Sequence, residues 1–263
     1  MLLGTVNSVL PVGTLGWAHY TLAGPPSMKD GQLLLNMNIY FSDNNGNTFN
    51  PVPAEPPALP PVTDDTSRLL LSLNILRPWL ELLVKGGQFN ADIPQQMLPD
   101  VVPMTTSELE SILSEVSGRL PANTSLVVRM GVIDTPAVTL QNGTLTVTLN
   151  TTMKCSGLTP LLVLEADMKL TGQPIISGTK LHLSLALDSF DLRLVSSEIG
   201  DIDVGLLKNW ILDILQIAYI PRLNVALDKA ALPLPNILNM GYADGQANIL
   251  GNIIMVPLIP KLP

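Results

Sequence analysis

From Lys180 to Val195 hydrophobic and polar residues alternate, and the alternation shifts phase once without changing its buried side. Leu181, Leu183, Leu185 and Leu187 fall on one face, with Lys180, His182, Ser184 and Asp188 on the other. Phe190, Leu192 and Leu194 then resume the apolar side after two successive polar positions, Asp188 and Ser189. A period of two predicts a β-strand, and the offset predicts a β-bulge. At roughly 3.3 Å per residue the strand would run about 50 Å, far beyond an ordinary strand of five or six residues, so the sheet must be long and bent.

Such a sheet needs a cover, and the next segment supplies one. Between Asp203 and Ala218 the residues Val204, Leu207, Ile211, Leu215 and Ala218 recur at helical spacing, beside a second stripe of Leu206, Trp210, Ile214 and Ile217. Only Gly205, Asn209, Asp213 and Gln216 form a polar strip, so the apolar arc exceeds what one sheet face requires. The surplus is available to a second helix, another domain or an apolar ligand. A helix over about Asn74 to Lys85, ended by Gly86-Gly87, repeats the arrangement. Arg77, Glu81 and Lys85 make one charged stripe there, and Leu76, Trp79, Leu80, Leu82 and Leu83 the wider apolar side. A capping box, Thr105-Thr-Ser-Glu108, predicts a further helix ending near Gly118, with Leu109, Ile112, Leu113 and Val116 on one face.

Strand patterns occupy most of the rest: Leu15 to Leu22, Gln32 to Phe41, Leu69 to Leu73, Leu126 to Ile133, Ala137 to Leu140, Thr144 to Thr152 and Leu161 to Leu170. Asn142-Gly143 is a hairpin signal. Pro221 interrupts the long helical pattern, which Leu223 to Ala230 continues, and Leu232-Pro-Leu-Pro235 leads to a last strand around Ala247 to Val256. The fold class is therefore α+β, with a long bent antiparallel sheet and long amphipathic helices. The proline-dense run Pro51 to Pro61 forbids helix and central strand and sets the best boundary, dividing the chain into 1–50, a linker at 51–62, and 63–263.

Composition narrows the function classes. The chain is apolar, poor in aromatics and low in charge, yet no run reaches the roughly 18 uninterrupted apolar residues of a membrane span. A net charge of −8 argues against nucleic acid or an anionic membrane as partner, since either needs clustered Lys and Arg. Cys155 stands alone, so no intrachain disulfide is possible; it reads as a small apolar residue, with a reactive or intermolecular thiol as the alternative. Three acceptor sequons, at Asn123, Asn142 and Asn150, point to the secretory route and to glycosylation, although Met1 to Gly16 has no basic n-region and makes a poor signal peptide.

No catalytic set is present. The only histidines are His19 and His182, and there is no nucleophile elbow, zinc-protease helix, P-loop or dinucleotide fingerprint. His182 is expected on the solvated face of the long strand. Asp201 and Asp203 favour the start of the long helix, where carboxylates complement its dipole. No metal site and no cofactor are expected.

Three segments carry a family resemblance: "WAHYTLAGPP" at Trp17 to Pro26, "PVPAEPPALPP" at the linker, and "IPRLNVALDKAALPLPNI" at Ile220 to Ile237. With the order of elements they resemble the bactericidal/permeability-increasing (BPI) fold family, over nearly the whole chain. The low charge and leucine richness are similar to its long PLUNC-like members. The resemblance implies a sheet wrapped as a barrel around helices, with an apolar pocket holding phospholipid acyl chains. It also implies that this is the C-terminal barrel of a two-barrel protein, so a fragment or variant is expected, with residues 1–50 as remnant strands of the preceding sheet. The family's basic lipopolysaccharide-binding tip and its disulfide belong to the first barrel and are not carried over.

The expected function is non-enzymatic binding of phospholipid or another apolar lipid by a secreted protein, in lipid transport or mucosal innate defence. Leu80, Leu83, Leu185, Leu187, Trp210 and Ile214 are the candidate pocket wall, although each taken singly fits plain hydrophobic core better. The alternative is a surface-active, antibiofilm protein acting at bacterial or lipid surfaces without a stoichiometric ligand. A hydrolase lacks the motifs it needs. Strands deprived of first-barrel neighbours would leave sticky edges, which predicts either a homodimer or poor secretion.

Overall fold

The computed structural model describes residues 7–29, 32–52, 66–114, 118, 121–141, 144–157 and 159–260. Of the proline-rich boundary only Pro51 and Val52 are among them, and the Asn142-Gly143 hairpin signal also lies outside the described residues.

In chain order the first strands are β1 (Ser8–Val12), β2 (Gly16–Leu22), β3 (Ser27–Lys29), β4 (Gln32–Leu34), β5 (Met37–Asp43) and β6 (Thr48–Phe49). β1, β2, β5 and β6 form a four-stranded sheet in that order, and β3 and β4 pair as a separate ribbon. Gln32 to Phe41 is therefore two strands rather than one, broken where the Ala23 amide donates to the Asn36 carbonyl. β1 escaped the pattern reading because its apolar residues are interrupted by Pro11, which edge strands tolerate.

After the boundary come β7 (Arg68–Ser72), α1 (Leu76–Lys85), β8 (Ala91–Pro94), α2 (Thr106–Ile112), β9 (Val127–Val132), β10 (Ala137–Gln141), β11 (Thr144–Ser156), β12 (Pro160–Ser177) and β13 (Lys180–Ser197). The capping box is formed: Thr105 accepts from the Glu108 amide, and Glu108 accepts from the Thr105 amide at 2.9 Å. The helix after it is shorter than its apolar pattern implied, ending at Ile112. β12 and β13 are 18 residues each and dominate the fold.

The bulge lies where the phase shift puts it. Lys169 pairs Ser189 and Leu170 pairs Leu187, leaving Asp188 as the extra residue. A second irregularity pairs Val163 with Ser196 and Leu164 with Leu194, extruding Val195. Each bulge adds bend and twist, which curves the long pair around the helices.

A continuous helix, Val204–Lys229, follows, comprising a 3-10 turn, α3 (Lys208–Ile214), a π turn at Leu215–Tyr219 and α4 (Ile220–Lys229). Pro221 does not break it. The Ile220 amide donates five residues back to the Leu215 carbonyl, and this wide turn makes room for a proline ring that would clash with an ordinary i−4 carbonyl. By length and composition the helix is apolar enough to cross a membrane, which a search for uninterrupted runs passes over; more than half of its apolar stretch is buried inside the protein. The chain closes with β14 (Leu232–Pro233), β15 (Met240–Tyr242), β16 (Gly245–Gln246), β17 (Asn248–Leu250) and β18 (Ile253–Pro260). The expected last strand is thus a hairpin, turning at Gly251.

The main sheet runs β14-β13-β12-β11-β9-β8, with β10 on β11 and β16 on β12, and wraps the helices as an open, twisted sheet. Its inner face meets the helices in one core that includes Trp79, Leu80, Leu83, Met168, Leu181, Ile211, Leu215 and Leu223. Burying each such side chain contributes about 1.5–3 kcal/mol, so packing rather than helix propensity holds these elements.

Candidate functional site

An apolar cleft of about 480 Å³ opens where the four-stranded sheet meets the tip of the β12–β13 hairpin. Its walls include Leu10, Pro11, Lys180, Leu234, Met240 and Tyr242. Local sequence explains the shape. Pro233 and Pro235 cannot donate to a strand ladder, so the segment after the long helix pairs only through Leu232 and Pro233 and then leaves the sheet. Three fixed bonds hold it: the Leu234 amide to Thr179 O at 2.8 Å, the Tyr20 hydroxyl to Pro233 O at 2.7 Å, and the Tyr242 hydroxyl to Pro235 O. Gly13, at φ 54, lets the β1–β2 turn approach the end of the long helix, where a Cβ would lie 2.7 Å from Lys229 O.

Burial pushes the Tyr20 and Tyr242 hydroxyls well above the ordinary phenol range, so both stay neutral donors. Leu234 and Tyr242 belong to the core and also wall the cleft, which makes the cleft continuous with the interior packing. Lys180 is an exposed cation at its rim. Composition alone does not reveal this site; the signal available was "LPLP", whose prolines rule out regular pairing.

The six pocket-wall candidates are distributed along the core and do not line the cleft. Leu80 and Leu83 are fully buried on α1, whose Trp79 indole donates to Ala230 O at 2.9 Å. Leu185 is buried on β13 opposite Asn224, while Leu187, beside the bulge, is half-buried. Ile214 is buried, as is Trp210, whose Nε1 donates to Pro103 O at 2.6 Å. Fourteen residues at 1.5 Å each put Trp210 about 20 Å along the helix from the level of Leu185. Of the second helix stripe, Trp210 and Ile214 are covered and Leu206 and Ile217 remain exposed.

His182 is not simply solvated: its Nδ1 lies 2.7 Å from Asp228 Oδ1 on α4. Asp203 accepts from the Gly205 amide at 2.8 Å, capping the long helix as its position suggested. Among the described residues no group of three or more His, Cys, Asp or Glu is placed to hold a metal ion. Cys155 is buried on β11, and burial pushes its thiol up to about 12. Of the sequons, Asn123 is exposed in a turn at φ 55, Asn150 is half-buried within β11, and Asn142 lies outside the described residues.

Comparison with known proteins matches this architecture. The chain is similar to BPI fold-containing family B member 3 of Mus musculus, 32% identical over 266 residues, covering 98% of this chain and 56% of that protein. Human BPI fold-containing family B member 4 is 28% identical, over 97% of this chain and 44% of its own length. The chain thus spans about half the length of the relatives it matches. The crystal structure of lipopolysaccharide binding protein superposes with a TM-score of 0.51 at 18% identity, over 98% of this chain and 57% of that one. Residues 15–256 match the model of the LBP / BPI / CETP family, C-terminal domain, and the chain belongs to that family.

Proposed function

We propose that this chain is a non-enzymatic lipid-binding module, secreted, which holds the acyl chains of a phospholipid against the apolar interior between the long sheet and the helices. The observation that carries the reading is the apolar cleft, whose walls at Leu234 and Tyr242 are shared with the core. Family membership supports it, and so does the name of the structural neighbour, which binds lipopolysaccharide. Lipid transport or mucosal defence is the use that fits. Residues 63–263 form the lipid-binding unit and residues 1–50 contribute the sheet beside it. Leu80, Leu83, Leu185, Leu187, Trp210 and Ile214 furnish apolar wall at successive levels, and of the two described sequons Asn123 is the better placed to carry a glycan.

The second reading, a surface-active protein without a stoichiometric ligand, draws on exposed Met28, Leu33 and Trp17. Native mass spectrometry of the chain expressed through a secretory route separates the two. A discrete phospholipid-sized mass is expected; a folded apo mass unchanged by incubation with vesicles would sink the carrier reading and favour the surface-active one.

A further inference from the structure

The outer edge of β13 lacks a strand partner over most of its length. β14 pairs only with Lys180 and Leu181, and among the described residues no other strand borders that edge. The long helix runs beside it in the opposite direction, since Asp228 meets His182, Asn224 meets Leu185, and Lys208 lies over the Phe190 ring at 5.8 Å. A seam therefore runs between strand edge and helix along β13 from His182 to about Phe190.

One side chain closes it. Asn224 Oδ1 accepts from the Leu185 amide at 2.8 Å, and Asn224 Nδ2 donates to the Leu185 carbonyl at 2.9 Å. The amide group thus makes the same two bonds that a neighbouring strand residue would make. His182 and Asp228 make a second strut one helical turn on. The seam differs on either side of this latch. Towards β14, Leu181, Leu183 and Leu185 are buried; beyond the latch Leu187, just before the Asp188 bulge, and Leu192 and Leu194, after it, are half-buried, while Phe190 between them is buried. Ile217 and Pro221, earlier on the same helix, are exposed, Ile217 by 42%. Apolar surface is thus left partly uncovered along the strand beyond the latch, at Leu187, Leu192 and Leu194, and at Ile217 on the helix.

We propose that this seam is the route by which an acyl chain passes between solvent and the interior, and that Asn224 is the latch that holds it closed. The inference rests on the lipid-binding reading. Opening exchanges the two Asn224 bonds and the neighbouring His182–Asp228 contact for water, with no ladder of strand bonds to break.

The test uses the full chain and phosphatidylcholine vesicles doped with pyrene-labelled phosphatidylcholine, read by stopped-flow fluorescence. Asn224→Ala is expected to load about tenfold faster, the order of effect of losing a modest pair of hydrogen bonds, with unchanged stoichiometry. In a second variant, Ser184→Cys with Val225→Cys, a short disulfide-containing bis-maleimide joins the lips after folding. Loading is expected to slow at least tenfold, by the same reasoning in reverse, and to recover when reductant cleaves the linker. If the native chain loads and the cross-linked chain loads equally fast, the seam is not the route and the lipid reading stands. If the folded native chain takes up no probe, the lipid reading and the route fall together.

Discussion

Replacing Trp79 with Phe tests what ties α1 to the end of the long helix. Trp79 is fully buried and its indole N–H donates to the carbonyl of Ala230, itself buried, across 151 positions of chain. Phenylalanine keeps an aromatic ring in place but cannot donate, and water does not reach the abandoned carbonyl. An orphaned buried acceptor costs about 1–3 kcal/mol. The smaller ring adds about 1 kcal/mol of void at the usual ~24 cal/mol per Å³. The expected loss is about 2–4 kcal/mol, seen in urea unfolding followed by circular dichroism as a lower midpoint at unchanged m. At roughly 2–4 °C per kcal/mol, Tm should fall by about 4–16 °C. Trp17→Phe, on a side chain 43% exposed, is the control and should stay within about 0.5 kcal/mol. A Trp79→Phe loss below about 1 kcal/mol would refute the tether, because neither the orphaned carbonyl nor the void would then be felt.

Two further predictions concern β11 and β13. Deleting Asp188 removes the extra bulge residue and leaves Leu187, Ser189 and Phe190 facing as before, so the variant should fold with a straighter strand. Deleting Ser184 from the regular part turns one half of the apolar face outward and should abolish soluble expression; equal behaviour of the two deletions in solubility and thermal melts would contradict the register. Cys155 should resist alkylation in the native state and react on unfolding, as quenched labelling and mass spectrometry will show. Its folded pKa is raised to about 12, so its neutral form contributes stability below the unfolded thiol pKa of about 8.5, and that stability is lost as pH rises between the two. Rapid native labelling at pH 8 would show that the thiol is accessible.

The elements were legible in the chain because their signals are local. A period of two along β13, an offset at Asp188, a 3.6-residue period along the long helix and the Thr105–Glu108 box each depend only on nearby residues, and each appears where its pattern lies. The resemblance carried by three short segments reached the family. Pocket assignment reached less far. Trp210 and Leu185 both read as buried apolar positions, but periodicity says which face is buried and nothing about level along a helix.

Tertiary structure decided what depends on contacts between distant parts of the chain. Asn224 and Asp228 read as ordinary polar helix residues; they become a latch and a strut only because the helix lies along an edge that β14 leaves unpaired after Leu181. The cleft exists because the β1–β2 turn, the β12–β13 tip and the "LPLP" segment converge, which no one of them specifies. Pro221 stays within a continuous helix because core contacts on both sides stabilise a π turn that local propensity disfavours. Backbone periodicity is written residue by residue in the sequence, whereas edges, seams and clefts arise from how elements meet.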